Sequence, residues 1–233
     1  MDTQTRHALK QDRLVEATRT SVDWFQEHRS KVISASLAVV VVLAIVVAGL
    51  VIYNQRSAAA DQAFGEAMDT YSTPLADAAQ PAMPGQKTFA TAAARAGAAN
   101  QQFAKLASQY GFFQAGKIGT YFAGLTAIDL GQTGQAETYL KKVVDGGDAA
   151  LASLAKLALA NLYQQTNRSN QAIELYNQLI AKPTSTVPAD AAKLQLASLY
   201  EKTNPAEATK IYAQLKGSKS AAGQIAAQKL QQK

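Results

Sequence analysis

The chain has 233 residues, a net charge of +6 and no cysteine. Without cysteine there can be no disulfide, thiol nucleophile or thiolate metal ligand. Both histidines, His7 and His28, precede the longest apolar segment, so the rest of the chain cannot form a serine-histidine-aspartate triad or a histidine zinc site. We therefore expect no catalytic residues, no metal and no cofactor. A carboxylate-dependent hydrolase is kept as a remote alternative.

The positive charge is not concentrated in any one region. After Arg56 the chain carries 16 basic and 12 acidic residues, a net of +4, mostly scattered singly at helical intervals. Residues 1–31 carry six basic and five acidic residues and are predicted to form a polar, helical tail. Because nucleic-acid binding needs a clustered basic face with aromatic residues, we expect no nucleic-acid partner.

The segment from Val32 to Tyr53 reads VISASLAVVVVLAIVVAGLVIY and holds no charged residue. As a helix it is roughly 33 Å long, enough to cross the apolar core of a bilayer. We predict a transmembrane helix over residues 32–53. The alternatives are a cleaved signal peptide ending at Ala58–Ala60 and a buried core helix. The segment is, however, longer than the apolar region of a signal peptide and apolar on every side.

The flanking charges predict how this segment is oriented. The 20 residues before it contain four basic residues: Arg13, Arg19, Arg29 and Lys31. The 20 residues after it contain only Arg56. Because basic residues favour the cytoplasmic side, we predict a cytoplasmic tail at residues 1–31 and an extracytoplasmic domain at residues 57–233. Ala44 and Ala48, four residues apart in the segment, are candidate contacts with another membrane helix, which would also allow homo-oligomers.

After Ser57 the sequence is rich in alanine, leucine and glutamine, and its apolar residues recur every three or four positions, which predicts an all-α domain. Six positions then repeat three times at a period of about 36 residues. The first set is Gly124, Ala127, Gly131, Ala136, Leu140 and Val143. The second is Ala160, Tyr163, Asn167, Ala172, Tyr176 and Leu179. The third is Ala197, Tyr200, Asn204, Ala208, Tyr212 and Leu215.

Each repeated position has a physical interpretation. The small residues let two helices approach closely, and the tyrosines at 163, 176, 200 and 212 are predicted to fill the core. Glycine or asparagine at the turn tolerates a left-handed backbone that ends the first helix. In the last turn Asn204 is predicted to cap, Pro205 to take the first helical position, and Glu207 to bond back to the cap.

The repeat also divides the domain. We predict units at 117–147, 149–182 and 188–217 and a capping helix at 220–232. A split unit is predicted at 57–110, with a proline-containing loop from Thr73 to Gln86. The stretch from Gly111 to Lys117 has the glycine and lysine spacing of a phosphate-binding loop. Ile118 stands where serine or threonine would bind magnesium, and no strand precedes it, so we interpret it as a turn between helices.

These units resemble the tetratricopeptide repeat, a 34-residue helix–turn–helix with a small residue, a tyrosine and a downstream alanine at these positions. Here the units are slightly longer, the leading tryptophan is absent, and Ala127 stands in the place of the tyrosine. The fold class implied is all-α: a single transmembrane helix followed by a solenoid of helical hairpins like those of tetratricopeptide repeats.

The whole architecture resembles the YfgM-like ancillary subunits of the bacterial SecYEG translocon, including the stretch from Phe25 to His28 before the membrane helix. The resemblance implies a non-enzymatic, single-pass inner-membrane protein with its large domain in the periplasm. Its implied partners are translocon subunits, periplasmic chaperones or secreted chains. A scaffold that coordinates the envelope or cell division is the alternative.

Tetratricopeptide arrays usually bind peptides on a concave face made by the first helix of each unit. By this resemblance we assign eight candidate residues to a protein-binding groove, with packing between units as the competing interpretation: Tyr121, Leu125, Leu157, Asn161, Gln164, Leu194, Ser198 and Glu201. The resemblance makes Asn161 a candidate for contact with a peptide backbone. The basic residues of a carboxylate clamp are missing, so capture of a C-terminal tail is not expected.

Overall fold

The computed structural model describes residues 28–76, 85 and 87–232. Nine α-helices occur within these ranges: α1 (Arg29–Ser72), α2 (Ala92–Gln109), α3 (Gln114–Asp129), α4 (Thr133–Val144), α5 (Ala149–Gln165), α6 (Ser169–Ala181), α7 (Ala189–Thr203), α8 (Pro205–Leu215) and α9 (Ala221–Gln231). The fold is all-α, as predicted. Most of the predicted tail at 1–31 and the centre of the loop at 73–86 lie outside the described residues.

The chain divides between Gln55 and Arg56 into two units. Of the first unit the structure describes residues 28–55, which are helical from Arg29 onward. Its large apolar side chains, from Ile33 to Tyr53, are 48–66% exposed. By its length and composition the helix could span a membrane. Signal sequences and the core helices of soluble proteins meet the same criterion.

Helix α1 does not end with the apolar segment but continues to Ser72. The alanine-rich stretch after Arg56 contains no proline, so nothing in the sequence interrupts the helix there. The helix ends where Pro74 disfavours a helical conformation for the residue before it. The hydroxyls of Ser72 and Thr73 donate to the carbonyls of Met68 (2.8 Å) and Asp69 (2.7 Å), which satisfies acceptors of the last turn.

The second unit is a series of helices packed on their sequence neighbours. Each helix from α2 to α8 packs against the next one, and α9 covers both α8 and α7. Helix α3 also contacts α5, the equivalent helix of the following hairpin. The second part of α1 joins this array, since Phe64 and Met68 pack against a core that contains Ala99, Phe103 and Leu106. The architecture is a solenoid of helical hairpins.

The repeated small and large residues form the core of this solenoid. The small positions on both helices of each hairpin are buried, and Leu140, Tyr176 and Tyr212 at the equivalent large position are at most 1% exposed. Of the four tyrosines predicted to be core, three are buried, whereas Tyr200 is half-buried and packs against the core. Helix α3 contributes to two clusters, Ala123 to the first and Ala127 to the second.

The turns within the hairpins are built in two ways. Gly131 (φ +71°) and Asn167 (φ +59°) are left-handed, as predicted. Asn204, however, has φ −153° and caps α8, so its predicted left-handed conformation is wrong. The reason is Pro205, which favours an extended conformation for the residue before it.

The cap at Asn204 is only partly the one predicted. Its side-chain Oδ1 accepts a hydrogen bond from the backbone N–H of Glu207 at 3.3 Å. Pro205 occupies the first position of α8. The carboxylate of Glu207 contacts Lys210 Nζ at 3.3 Å, while the Asn204 N–H donates to the Tyr200 carbonyl instead. The reciprocal bond from Glu207 is therefore not formed.

Candidate protein-binding face

The eight candidate groove residues lie at equivalent positions of α3, α5 and α7, separated by 36 residues between the first two helices and by 37 between the last two. We call this set the first-helix face. All eight side chains are half-buried. Partial burial means that each residue both packs within the array and offers some surface, so its contacts decide what remains available to a partner.

The apolar members of the first-helix face are tied to the core. Tyr121, Leu125, Leu157 and Leu194 all pack against the large core cluster. Burial raises the pKa of Tyr121, and the nearby Tyr71 adds to this rise. These side chains therefore form an apolar floor whose exposed edges are available for contact.

Two polar members, Asn161 and Gln164, contact the same buried tyrosine. The Tyr176 hydroxyl donates to Asn161 Oδ1 at 2.7 Å, and Gln164 Oε1 lies 3.3 Å from the same hydroxyl. Burial raises the pKa of Tyr176 to about 12, so the hydroxyl stays protonated and can donate. The oxygen of Asn161 is thus used within the chain, which leaves its amide nitrogen as the group suited to a peptide carbonyl.

Glu201 occupies the position equivalent to Gln164 and is also held within the chain. Tyr212, equivalent to Tyr176, donates its hydroxyl to Glu201 Oε1 at 3.0 Å, and Lys229 of the capping helix lies 3.1 Å from the same oxygen. Burial, followed by the contact with Glu201, raises the pKa of Tyr212. The negative charge of Glu201 is therefore balanced by α9.

A matching rule links these positions across the hairpins. Where the second helix carries a buried tyrosine, at 176 and 212, the first helix of the same hairpin carries a hydrogen-bond acceptor. Where it carries Leu140, the corresponding residues of the first helix are Leu125 and Ile128. The polarity of the first-helix face thus follows from the need to satisfy buried hydroxyls. This signal is present in the sequence, in the residue types paired at 161 and 176 and at 201 and 212.

The structure also places residues beside the face that sequence reasoning missed. Tyr71, near the end of α1, stacks edge-on against Phe122 of α3 at 5.9 Å between ring centroids, and it adds to the rise in the pKa of Tyr121. Arg95 of α2 donates to the carbonyl of Thr73 at 3.1 Å. Burial raises the pKa of Asp129, and Arg95 opposes that rise. The second part of α1 and the start of α2 therefore place Tyr71 and Arg95 close to α3.

Ala44 and Ala48 lie on the exposed apolar part of α1, in the other unit of the chain. Their contact with a second membrane helix stays a prediction. Among the described residues there is no cluster of three or more acidic or histidine side chains that could hold a metal ion.

The repeated hairpins, the alternation of small and large core residues and the capping helix define a solenoid of the tetratricopeptide type. Residues 155–181 match the tetratricopeptide repeat family. The matched residues include most of α5 and all of α6. No curated protein and no solved structure matches the chain. Tetratricopeptide repeats are typically non-catalytic, so the match indicates a scaffold for protein–protein interaction.

Proposed function

We propose that the chain is a membrane-anchored scaffold of the tetratricopeptide type that binds extracytoplasmic proteins as an ancillary component of the Sec protein-translocation machinery. The observation that carries the proposal is the joining of two features in one chain. One is the exposed apolar helix from Ile33 to Tyr53, and the other is a hairpin array with a tetratricopeptide match at 155–181.

The physical argument is one of tethering. An array of hairpins offers an extended surface for an unfolded or flexible chain, and a membrane anchor raises the local concentration of that surface near the point where secreted chains emerge. The basic residues before the apolar helix support a cytoplasmic N-terminus and a periplasmic domain. The first-helix face is the proposed binding surface, with the amide nitrogen of Asn161 directed at a peptide carbonyl.

The membrane topology is tested first. Because the sequence holds no cysteine, an introduced cysteine is the only thiol that a maleimide can label. Single-cysteine variants Thr5→Cys and Gln228→Cys are labelled in intact cells with a membrane-impermeant maleimide after the outer membrane is permeabilised. We expect labelling at position 228 but none at position 5 until the inner membrane is disrupted. Release of the protein as a soluble, shortened chain would support the signal-peptide alternative and contradict the anchor.

Binding is tested by photo-crosslinking in membranes of the source organism, with probes at Ala44 and Ser198. Ser198 lies on the first-helix face but carries none of the contacts described for its neighbours. Asn177, exposed on α6, provides a matched control. We expect translocon subunits at position 44, secreted chains or periplasmic chaperones at position 198, and neither at position 177. Cell-wall or division proteins at both probes would replace the Sec assignment with the envelope scaffold.

A further inference from the structure

A second candidate surface lies away from the first-helix face, where two loops between successive hairpins meet. The loop between α2 and α3, with Gly111 and Phe112, and the loop between α4 and α5, with Gly146, border a cavity of about 220 Å³. Thr120, Val143 and Leu151 also line it. The Thr120 hydroxyl donates to the Gly116 carbonyl at 2.8 Å, so its hydrogen-bonding need is met within α3.

The apolar side chain at the edge of this cavity is unusually exposed. Phe112 is 80% exposed, more than any large hydrophobic side chain of the apolar segment in α1, where the highest value is 66%. It makes an edge contact with Phe113, at 5.9 Å between ring centroids. Exposed aromatic residues beside a preformed apolar cavity are typical of sites that anchor a partner side chain.

The charged residues that line the cavity indicate which charge a partner should carry. Lys117 and Lys142 both border it, and neither takes part in the ion pairs found in the described part of the chain. The carboxylate of Asp148, which also borders it, accepts from the Leu151 N–H at 3.0 Å and from Gln114 Nε2 at 3.2 Å. These neutral donors leave the charge of Asp148 in place, and Lys117 lies close enough to help lower its pKa. Two lysines against one carboxylate leave a net charge of +1 for a partner.

The cavity is smaller than the roughly 300–1,000 Å³ of typical small-molecule sites, so it suits a single large side chain better than a complete ligand. A second copy of the chain is a poor occupant, because pairing the same surface about a two-fold axis would bring four lysines together with only two aspartates. We infer that this cavity, the Phe112 pocket, binds a peptide segment of a partner protein in which a large apolar side chain is flanked by carboxylates. The inference rests on the proposed scaffold function, and it adds a second binding surface to it.

The test uses the full-length protein in detergent and a fluorescein-labelled heptapeptide with phenylalanine at its centre, a glutamate on each side, and glycine and serine outside. Fluorescence anisotropy measures its affinity. We expect saturable binding that weakens with added salt. Two control peptides, with lysine in place of glutamate and with serine in place of phenylalanine, should bind at least tenfold more weakly.

Substitutions in the Phe112 pocket test whether the peptide binds there. Phe112→Ser and the double variant Lys117→Gln/Lys142→Gln should each weaken binding at least tenfold, without a change in thermal unfolding, because their side chains are not part of the core. Ile225→Ser and Lys182→Gln, at other exposed positions, serve as matched controls and should bind as the parent protein does. Equal binding of all three peptides, or binding unaffected by Phe112→Ser, would overturn the inference.

Three further outcomes bear on this inference and on the proposed function. If the peptide does not bind but the probe at Ser198 still captures secreted chains, the Phe112 pocket is rejected and the scaffold function stands. If the parent protein self-associates and Phe112→Ser abolishes that association, the occupant is a second copy and the inference is wrong. Loss of both peptide binding and capture at Ser198 would contradict both proposals.

Discussion

The carboxylate of Glu137 on α4 is held by both terminal nitrogens of Arg168, which stands in the turn after α5, at 2.7 and 3.0 Å. The Tyr163 hydroxyl donates to the same carboxylate at 3.0 Å, and the guanidinium lies 4.0 Å from the centre of the Tyr163 ring. Lys141 adds an ion pair at 2.7 Å. Glu137 therefore links the second helix of one hairpin to the next hairpin, which makes it a joint between repeats.

This joint predicts a pH dependence of stability. Hydrogen bonds, chiefly from Arg168, lower the pKa of Glu137 from 4.5 to about 2. Because the folded state holds the charged form, its contribution is complete above pH 4.5 and is lost as the pH falls towards 2. We expect Glu137→Gln to lower the urea midpoint at pH 7 and to leave it nearly unchanged near pH 2. Urea unfolding of both proteins across this range measures the difference.

The control for that experiment is Glu174→Gln, an exposed substitution on α6 outside the joint. It should shift the midpoint little at pH 7. A Glu137→Gln variant whose deficit is the same at pH 7 and at pH 2 would show that packing, rather than the ion pair, is responsible.

The buried hydroxyl of Tyr176 predicts a coupling with Asn161. We expect Tyr176→Phe to cost about 1 kcal/mol, because it removes one buried hydrogen bond and leaves the Asn161 oxygen without its donor. Adding Asn161→Leu, which copies the pairing of Leu140 with Leu125 in the preceding hairpin, should restore part of that loss. A double-mutant cycle in urea measures the coupling. Tyr200→Phe, at a half-buried position, is the matched control. Additive effects of Tyr176→Phe and Asn161→Leu would contradict the prediction.

Substitution by serine should change the stability of the protein differently at the two asparagine turns. At Asn167, which is left-handed, serine should cost about 1 kcal/mol, because a left-handed backbone penalises most side chains. At Asn204, which caps α8, serine should be nearly neutral, because both residues are good caps. Thermal unfolding of the two single variants decides between these roles. Equal costs at both positions would mean that the two turns are alike.

Two glycines in helices predict opposite effects of alanine. A Cβ at Gly116 would collide with the backbone carbonyl of Tyr110, so we expect Gly116→Ala to cost about 1–3 kcal/mol. A Cβ at Gly97, inside α2, would meet nothing within 4 Å. Gly97→Ala should therefore stabilise the protein by about 0.5–1 kcal/mol, since alanine is the better helix former. Chemical unfolding of each variant gives the sign, and a neutral Gly116→Ala would contradict the close approach.

The core positions of the solenoid were predictable from sequence because they repeat. A spacing of 36 residues places Ala136, Ala172 and Ala208 in equivalent environments, and all three are fully buried. Local rules failed where one neighbour overrode the pattern. At the last turn Pro205 gives Asn204 an extended conformation in place of the left-handed one seen at Gly131 and Asn167.

The membership of the first-helix face follows from spacing alone, because equivalent helices present equivalent positions. Its binding role stays a prediction. The contact of Tyr71 with Phe122 of α3 and the hydrogen bond from Arg95 to Thr73 could not be predicted, because each joins residues on opposite sides of the long loop between α1 and α2, whose path no local pattern specifies. The Phe112 pocket was equally hidden, since it forms only when two loops about 35 residues apart come together.

Helix α3 takes part in two hydrophobic clusters, through Ala123 on one side and Ala127 on the other. Unfolding of the second part of α1 together with α2 would remove only the first of these clusters, whereas unfolding that starts at the capping helix α9 would begin with the second. Either event leaves one side of α3 packed. In hydrogen exchange its amides should therefore outlast those of α2 and α9, and both directions of fraying should stop at this helix.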